Sequence, residues 1–227
     1  MRHPLLRPVL ALALALGTPF APLFAQTPAA VAQAPDYAAL IGDYPRPGSD
    51  RLKADEAILM WLQLTRTPED VQRATSEVVP HLGLFSAVLG RNLDSGRYPL
   101  TLALGERARQ DLGAVIGPLK LKFARPRPYV AMPQLSPAVK REESLSYPSG
   151  HSAWGVLEAT LLAQLQPQDR EAILARGRQV GFDRPLGGVH YPSDVEAGQA
   201  VGAAFAASWL ADPAHRALLE QARAAEW

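Results

Sequence analysis

Residues 147–165 read YPSGHSAWGVLEATLLAQL. From Gly150 to Leu165 the run is strongly apolar and free of proline, which predicts a helix, and Pro167 stops it. The segments on either side repeat the theme. Gln168–Val180 has an amphipathic helical pattern. Pro192–Leu210 is rich in Ala, Gly and Ser and suits a helix packed closely inside a bundle. Pro213–Ala225 is a last amphipathic helix opened by its proline. Upstream, Arg125–Glu143 carries four prolines and reads as a loop. Before it, Thr101–Phe123 is a long helical pattern containing Pro118, and His81–Gly90 is a short apolar segment. Helical patterning starts near Lys53, with Ile58, Leu59, Trp61, Leu62 and Leu64 on one apolar face, and Pro68 with Glu69-Asp70 opens a second helix. No segment alternates in the manner of a strand, and no repeat is present. The fold class is all-α, a single-domain helical bundle over residues 53–227.

Composition narrows the function. Of the 227 residues, 48% are apolar and 20% charged, which is ordinary for a globular chain and excludes disorder. Lys and Arg number 23 against 22 Asp and Glu, so the basic excess of a general nucleic-acid binder is missing. The absence of cysteine removes disulfide scaffolds, thiol nucleophiles and zinc fingers.

The first 25 residues read as a secretory signal peptide: Arg2 and Arg7, then the apolar run Val9–Leu16, then Gly17, Pro19 and Pro22. Cleavage fits after Ala25 or after Ala32. Removing Met1–Ala25 leaves 21 basic against 22 acidic side chains. Residues 26–52 read as a linker that becomes an extended arm, with a turn at Pro45–Gly48. The longest later apolar stretch, Ala200–Leu210, is too short to span a bilayer. A periplasmic or secreted protein without a membrane span in its mature chain is expected.

Three clusters carry chemistry. Lys120 and Arg127 stand seven residues apart, about two helical turns, and could share a face that attracts a dianion. Pro148-Ser149-Gly150-His151 precedes a helix whose first amides are unpaired, and Gly150 lets a ligand approach them. His190 and Asp194 are spaced so that a carboxylate can fix an imidazole tautomer, with Arg184 as a further cation. Taken singly, each has a plainer account: a solvated basic rim, a Ser-Gly cap, an Asp cap beside a surface histidine. Taken together, they could surround one tetrahedral dianion, with two histidines dividing attack and protonation.

The order K-x(6)-R-P, P-S-G-H, R-x(5)-H-x(3)-D resembles the acid phosphatase and vanadium haloperoxidase superfamily, which includes type 2 phosphatidic acid phosphatases. Lys120 fits it with Arg127-Pro128; Arg125-Pro126 does not, because that register puts Pro118 at the lysine. The chain is further similar to bacterial class A non-specific acid phosphatases, through Pro47-Gly48-Ser49, Ala54–Ala57 and Ser146–Ser152. Two departures stand out. The third motif usually begins Ser-Arg and here begins Asp183-Arg184, so Asp183 is expected to point away from the pocket or pair with a cation. The proline-rich run of the arm is thinned to Asp43–Pro47, which bears on arm contacts and oligomer packing more than on chemistry.

The resemblance implies a metal-independent phosphatase without cofactor, acting on small-molecule phosphomonoesters of broad range, with an acid optimum and self-association. It implies His190 as the nucleophile that forms a phosphohistidine and Asp194 as its orienting carboxylate. His151 is then the acid to the leaving alcohol and the base for water. Lys120, Arg127 and Arg184, with the Ser149 hydroxyl and the Gly150 amide, would hold the phosphate. The rival readings are a vanadate-dependent haloperoxidase and a non-catalytic phosphate-binding protein. His81 and His215 have no comparable partners and are expected at the surface or in packing.

Overall fold

Prolines and small hydroxyl residues punctuate the chain, and the helices begin where they stand. The structure, a computed structural model, describes residues 35–227; the signal peptide expected over 1–25 lies outside them. The helices are α1 (Tyr37–Ile41), α2 (Asp50–Thr65), α3 (Pro68–Ser76), α4 (Ser86–Leu89), α5 (Pro99–Phe123), α6 (Pro128–Ala131), α7 (Gly150–Leu165), α8 (Arg170–Leu186), α9 (Pro192–Ala211) and α10 (Pro213–Glu226). No strand occurs among the described residues. Five of these helices open on a proline, whose missing N–H costs nothing at a helix start. Ser49 and Ser149 cap α2 and α7, and Thr67 with Asp70 forms a reciprocal capping box on α3.

Helix α7 is the hub, packed against α8 and α9 on two sides and against α5 and α10 as well. Its small residues let two backbones approach it closely. A Cβ at Gly155 would lie 2.5 Å from the carbonyl oxygen of Gly177 on α8. On α9, Cβ atoms at Gly198 and Gly202 would collide with the carbonyl oxygens of Ser149 and Ala153. Around this contact the core gathers Phe85, Ile116, Trp154, Leu157, Leu161, Leu162, Val180, Val201 and Phe205.

Several sequence expectations change in the structure. Residues 37–41 of the expected arm form α1, and α2 starts at Asp50 because Ser49 caps it, three residues before Lys53. The loop over Arg125–Glu143 includes the single turn α6. The helix expected over Gln168–Val180 continues to Leu186, so Asp183 and Arg184 ride on α8 and Pro185 lies in its last turn. Lys120 and Arg127 do not share a helix face: α5 ends at Phe123, and Ala124 turns the chain away with φ 49°. The apolar residues of α2 lie on two faces. Leu59 and Leu62 are buried, whereas Ile58, Trp61 and Leu64 are exposed. Burial of a large apolar side chain contributes about 1.5–3 kcal/mol. The exposed three contribute less of it, and α2 is held mainly by Leu59, Leu62 and the buried carboxylate of Asp55.

Candidate active site

The N-termini of α7 and α9, the C-terminal turn of α8 and residues 124–149 meet at one place. The backbone N–H of Ser149 donates to the carbonyl of Asp194 at 3.0 Å, which ties the start of α7 to the start of α9. Between α8 and α9 the chain reverses through Gly188, whose φ of 77° suits glycine, and this turn presents His190.

His190 is fully buried. Its Nδ1 lies 3.2 Å from Oδ2 of Asp194, and its Nε2 lies 2.8 Å from Nη1 of Arg127. A guanidinium can only donate, so Nε2 carries the lone pair and Nδ1 the proton. Burial, then the charges of Arg127 and Lys120, push this imidazole well below its ordinary range, which keeps it neutral. Asp194 is saturated. Its Oδ2 also accepts from the Ser146 hydroxyl at 2.6 Å and the Tyr191 amide at 2.8 Å, and its Oδ1 accepts from Arg125 at 2.6 Å.

Arg125 is in turn braced. It donates to the Ser193 hydroxyl at 2.8 Å, lies 3.5 Å from Asp55 and stacks 3.7 Å over the ring of Tyr191. Asp55 on α2 accepts from both the hydroxyl and the amide of Ser193. A buried chain therefore runs Asp55–Arg125–Asp194–His190, and all four are 2% exposed or less.

The opposite side carries the other cations. Arg127 donates to the carbonyls of Ser144 and Val189, both at 2.8 Å. Lys120 donates to the carbonyl of Leu145. Burial, then Arg127, brings the Lys120 ammonium down to about 8. Arg184 is completely buried, and its Nε and Nη1 have no partner. Glu142 joins Arg127 (2.7 Å) to Arg184 (2.9 Å) through its two carboxylate oxygens. His151 places Nε2 at 3.2 Å from the carbonyl of Val78, which fixes the proton there and turns the Nδ1 lone pair toward Glu142, 3.9 Å away. Burial, then Arg184, holds this imidazole down to about 4. The Ser149 hydroxyl accepts from the amide and hydroxyl of Ser152, so its own proton is free to donate.

All eight residues singled out from the sequence thus converge. Asp183 is fully buried and, as expected, pairs with a cation, in a fork with Arg73 at 2.8 and 2.9 Å. His81 is exposed, and His215 stacks on Trp209 with centroids 3.8 Å apart. Sequence reasoning misses Arg125, Ser146, Asp55, Ser193 and Glu142. Arg125 does not fit the lysine spacing of the first motif, and that spacing is silent on a second use. Asp55 and Ser146 sit inside stretches that carry the family likeness. Glu142 has no local signal. Among the described residues no group of three or more His, Asp and Glu is arranged to hold a metal. No helix there is long and apolar enough to cross a membrane.

Residues 100–216 match the PAP2 superfamily. The chain is 28% identical over 200 residues to a non-specific acid phosphatase of Providencia stuartii, across 84% of this chain and 81% of that one. It is 34% identical over 163 residues to an acid phosphatase of Zymomonas mobilis, spanning 70% of this chain and 62% of the relative. It is 35% identical over 146 residues to a non-specific acid phosphatase of Salmonella typhimurium, spanning 62% of this chain and 58% of the relative. Among solved structures, a transmembrane PAP2-type phosphatidylglycerolphosphate phosphatase from Bacillus subtilis shares the fold, with a TM-score of 0.53 over 82% of this chain and 91% of that one, at 22% identity.

Proposed function

The chain belongs to the PAP2 superfamily and is a phosphoric monoester hydrolase, and we propose that it is a metal-independent acid phosphatase that works through a phosphohistidine on His190. The observation that carries this reading is the placement of the His190 ring, with Nδ1 beside Asp194, to which its N–H donates, and Nε2 facing Arg127. In the first half-reaction Nε2 bonds to phosphorus as the ester P–O bond breaks, and protonated His151 gives its Nδ1 proton to the departing alkoxide. Asp194 stabilises the positive ring. In the second, His151 takes a proton from water, the oxygen attacks phosphorus, and the P–N bond breaks to release inorganic phosphate and neutral His190. Lys120, Arg127, Arg184, the Ser149 hydroxyl and the Gly150 amide hold the equatorial oxygens, so the protein mainly positions groups and neutralises charge.

A phosphate group is the shared handle of nucleotides, sugar phosphates and aryl phosphates, and a broad substrate range follows from recognition of that handle alone. Export to the periplasm or medium rests on the signal-like residues 1–25. Self-association is supported by the exposed apolar ridge Ile58, Trp61 and Leu64 on α2. The deciding experiment is hydrolysis of p-nitrophenyl phosphate between about pH 4 and 8 with a chelator present, beside His190→Ala. Chelator-resistant turnover and acid-labile phosphate labelling are expected, both lost in the variant. Labelling retained without His190 sinks the nucleophile, and phosphate binding without turnover by the unaltered chain favours a binding protein.

A further inference from the structure

Glu142 lies among the groups that the phosphatase mechanism gives to the substrate's phosphate, and its role here rests on that mechanism. Its Oε2 accepts from Arg127 Nη2 at 2.7 Å and its Oε1 from Arg184 Nη2 at 2.9 Å, with Nδ1 of His151 3.9 Å from Oε1. We propose that Glu142 is an internal competing anion: its carboxylate fills the phosphate site of the free enzyme, and every phosphate ligand must displace it.

The donor balance separates this from an ordinary structural ion pair. With Glu142 in place, Arg184 Nε and Nη1 are buried and unpaired. A buried donor without a partner keeps its full desolvation cost, and structures rarely leave two on one side chain. A carboxylate has only two oxygens. A phosphate monoester dianion brings three terminal oxygens and one more charge, so it can take over both contacts of Glu142 and still serve the orphaned donors.

Position supports the same conclusion. The Glu142 side chain is 26% exposed, whereas those of Arg127 and Arg184 are 3% and 0%. The carboxylate therefore stands on the solvent side of the cations. Its backbone is fastened, since the Tyr129 hydroxyl bonds both the carbonyl and the amide of Glu142. The carboxylate can leave by rotation of its own side chain while residues around it keep their places. Burial opposes ionisation of Glu142, but Arg127 and the other surrounding cations outweigh it and hold the carboxyl at about 2, so the competitor stays charged at working pH. Arg127, meanwhile, caps the Nε2 lone pair of His190. The free site is thus closed on itself at both the anion position and the nucleophile.

A competitor of this kind weakens every ligand by one common factor, the fraction of molecules in which it has stepped aside. The test is calorimetric titration with inorganic phosphate, beside KM for p-nitrophenyl phosphate, on the full protein, Glu142→Ala, Glu142→Gln and the exposed neighbour Glu143→Ala. Two charge-assisted bonds are lost to the competitor, so both Glu142 variants should bind phosphate about ten- to a hundredfold tighter, with KM falling by a matching factor. Glu142→Gln keeps the side-chain volume and carries the test if the alanine variant unfolds. Unchanged or weaker phosphate binding in a folded Glu142 variant overturns the proposal. So does an equal gain in Glu143→Ala, which would mark a general charge effect. A slower single-turnover phosphorylation without any gain in affinity would make Glu142 a support for His151, and also overturns it. If the unaltered enzyme turns over and loses its label with His190→Ala, such failures touch Glu142 alone. If no form binds phosphate or turns over, the phosphatase mechanism falls with it.

Discussion

The two sides of the site are built on opposite terms. Around His190 the reacting groups are braced: Asp194 accepts four donors, and Arg125 is shared between Asp194, Ser193 and Asp55, with its Nη2 held only by the charge contact to Asp55 at 3.5 Å. Around His151, two donors of Arg184 are unpaired and the main acceptor is a part-exposed carboxylate. The braced side is where one atom must hold one orientation through the reaction. The unsaturated side is where a ligand must come and go, and a phosphate's oxygens supply the acceptors that the unmet donors of Arg184 lack. Bracing and unmet donors are thus divided between neighbouring residues, His190 and Asp194 on one side and Arg184 with Glu142 on the other.

That contrast can be attacked from its stronger end first. Asp194→Asn should lower kcat by roughly a thousandfold, because the amide no longer fixes the Nδ1 proton, while KM changes little. Steady-state kinetics with quantified phosphoenzyme reads this, and a KM effect larger than the kcat effect would show that the braced side serves binding. Asp55→Asn, farther along the chain, leaves Arg125 buried with half its compensation. It should destabilise the fold by about 3 kcal/mol in denaturant unfolding and lower kcat about tenfold. Stability lost without any change in kcat would reduce Asp55 to a fold residue.

The smallest effect belongs to protons. The folded chain holds His151 at about 4 against an ordinary 6.5, first through burial and then through Arg184. Between those values the unfolded chain binds a proton that the folded one refuses. Stability is therefore full above 6.5 and declines as pH falls toward 4. Phosphate neutralises Arg184 and Arg127, so binding should draw a fraction of a proton onto His151 in that window. Lys120, His190 and Glu142 face the same ligand, and His151→Ala separates them. Calorimetry in buffers of differing ionisation enthalpy should show the uptake in the full protein and its loss in the variant. Uptake that persists belongs to His190 or to the displaced Glu142.

How much of the molecule is legible in sequence depends on the range of each interaction. Helix starts are local: Ser49, Thr67 and Ser149 mark their own helices, and the proline openings do the same. The eight site residues are legible because three short motifs hold them. Asp183 is a middle case: its conflict with phosphate is visible in the motif, but its remedy, Arg73, lies 110 residues away. Asp55 meets Ser193 across 138 residues, and Arg125 meets Asp194 across 69, so no spacing could announce them. Glu142 sits in an aperiodic loop, where composition says only that a loop exists. The apolar residues of α2 mislead for another reason. Five of them within seven positions cover two faces, and only packing decides which is buried.

The glycine contacts of α7 bear on how such an enzyme can be hardened against heat. Replacing a helical glycine by alanine is a standard route to a stiffer unfolded chain and a more stable protein, gaining about 0.4–1 kcal/mol where the new methyl fits. At Gly155, Gly177, Gly198 and Gly202 that route is shut. A methyl there would collide with backbone of the facing helix and wedge α8 or α9 away from α7. Gly113, on the exposed face of α5 with no atom within 4 Å of a would-be methyl, leaves it open. An engineer reading only helix propensities would rank all five alike; a single hydrogen atom in place of a methyl at four of them sets how near α8 and α9 can come to α7.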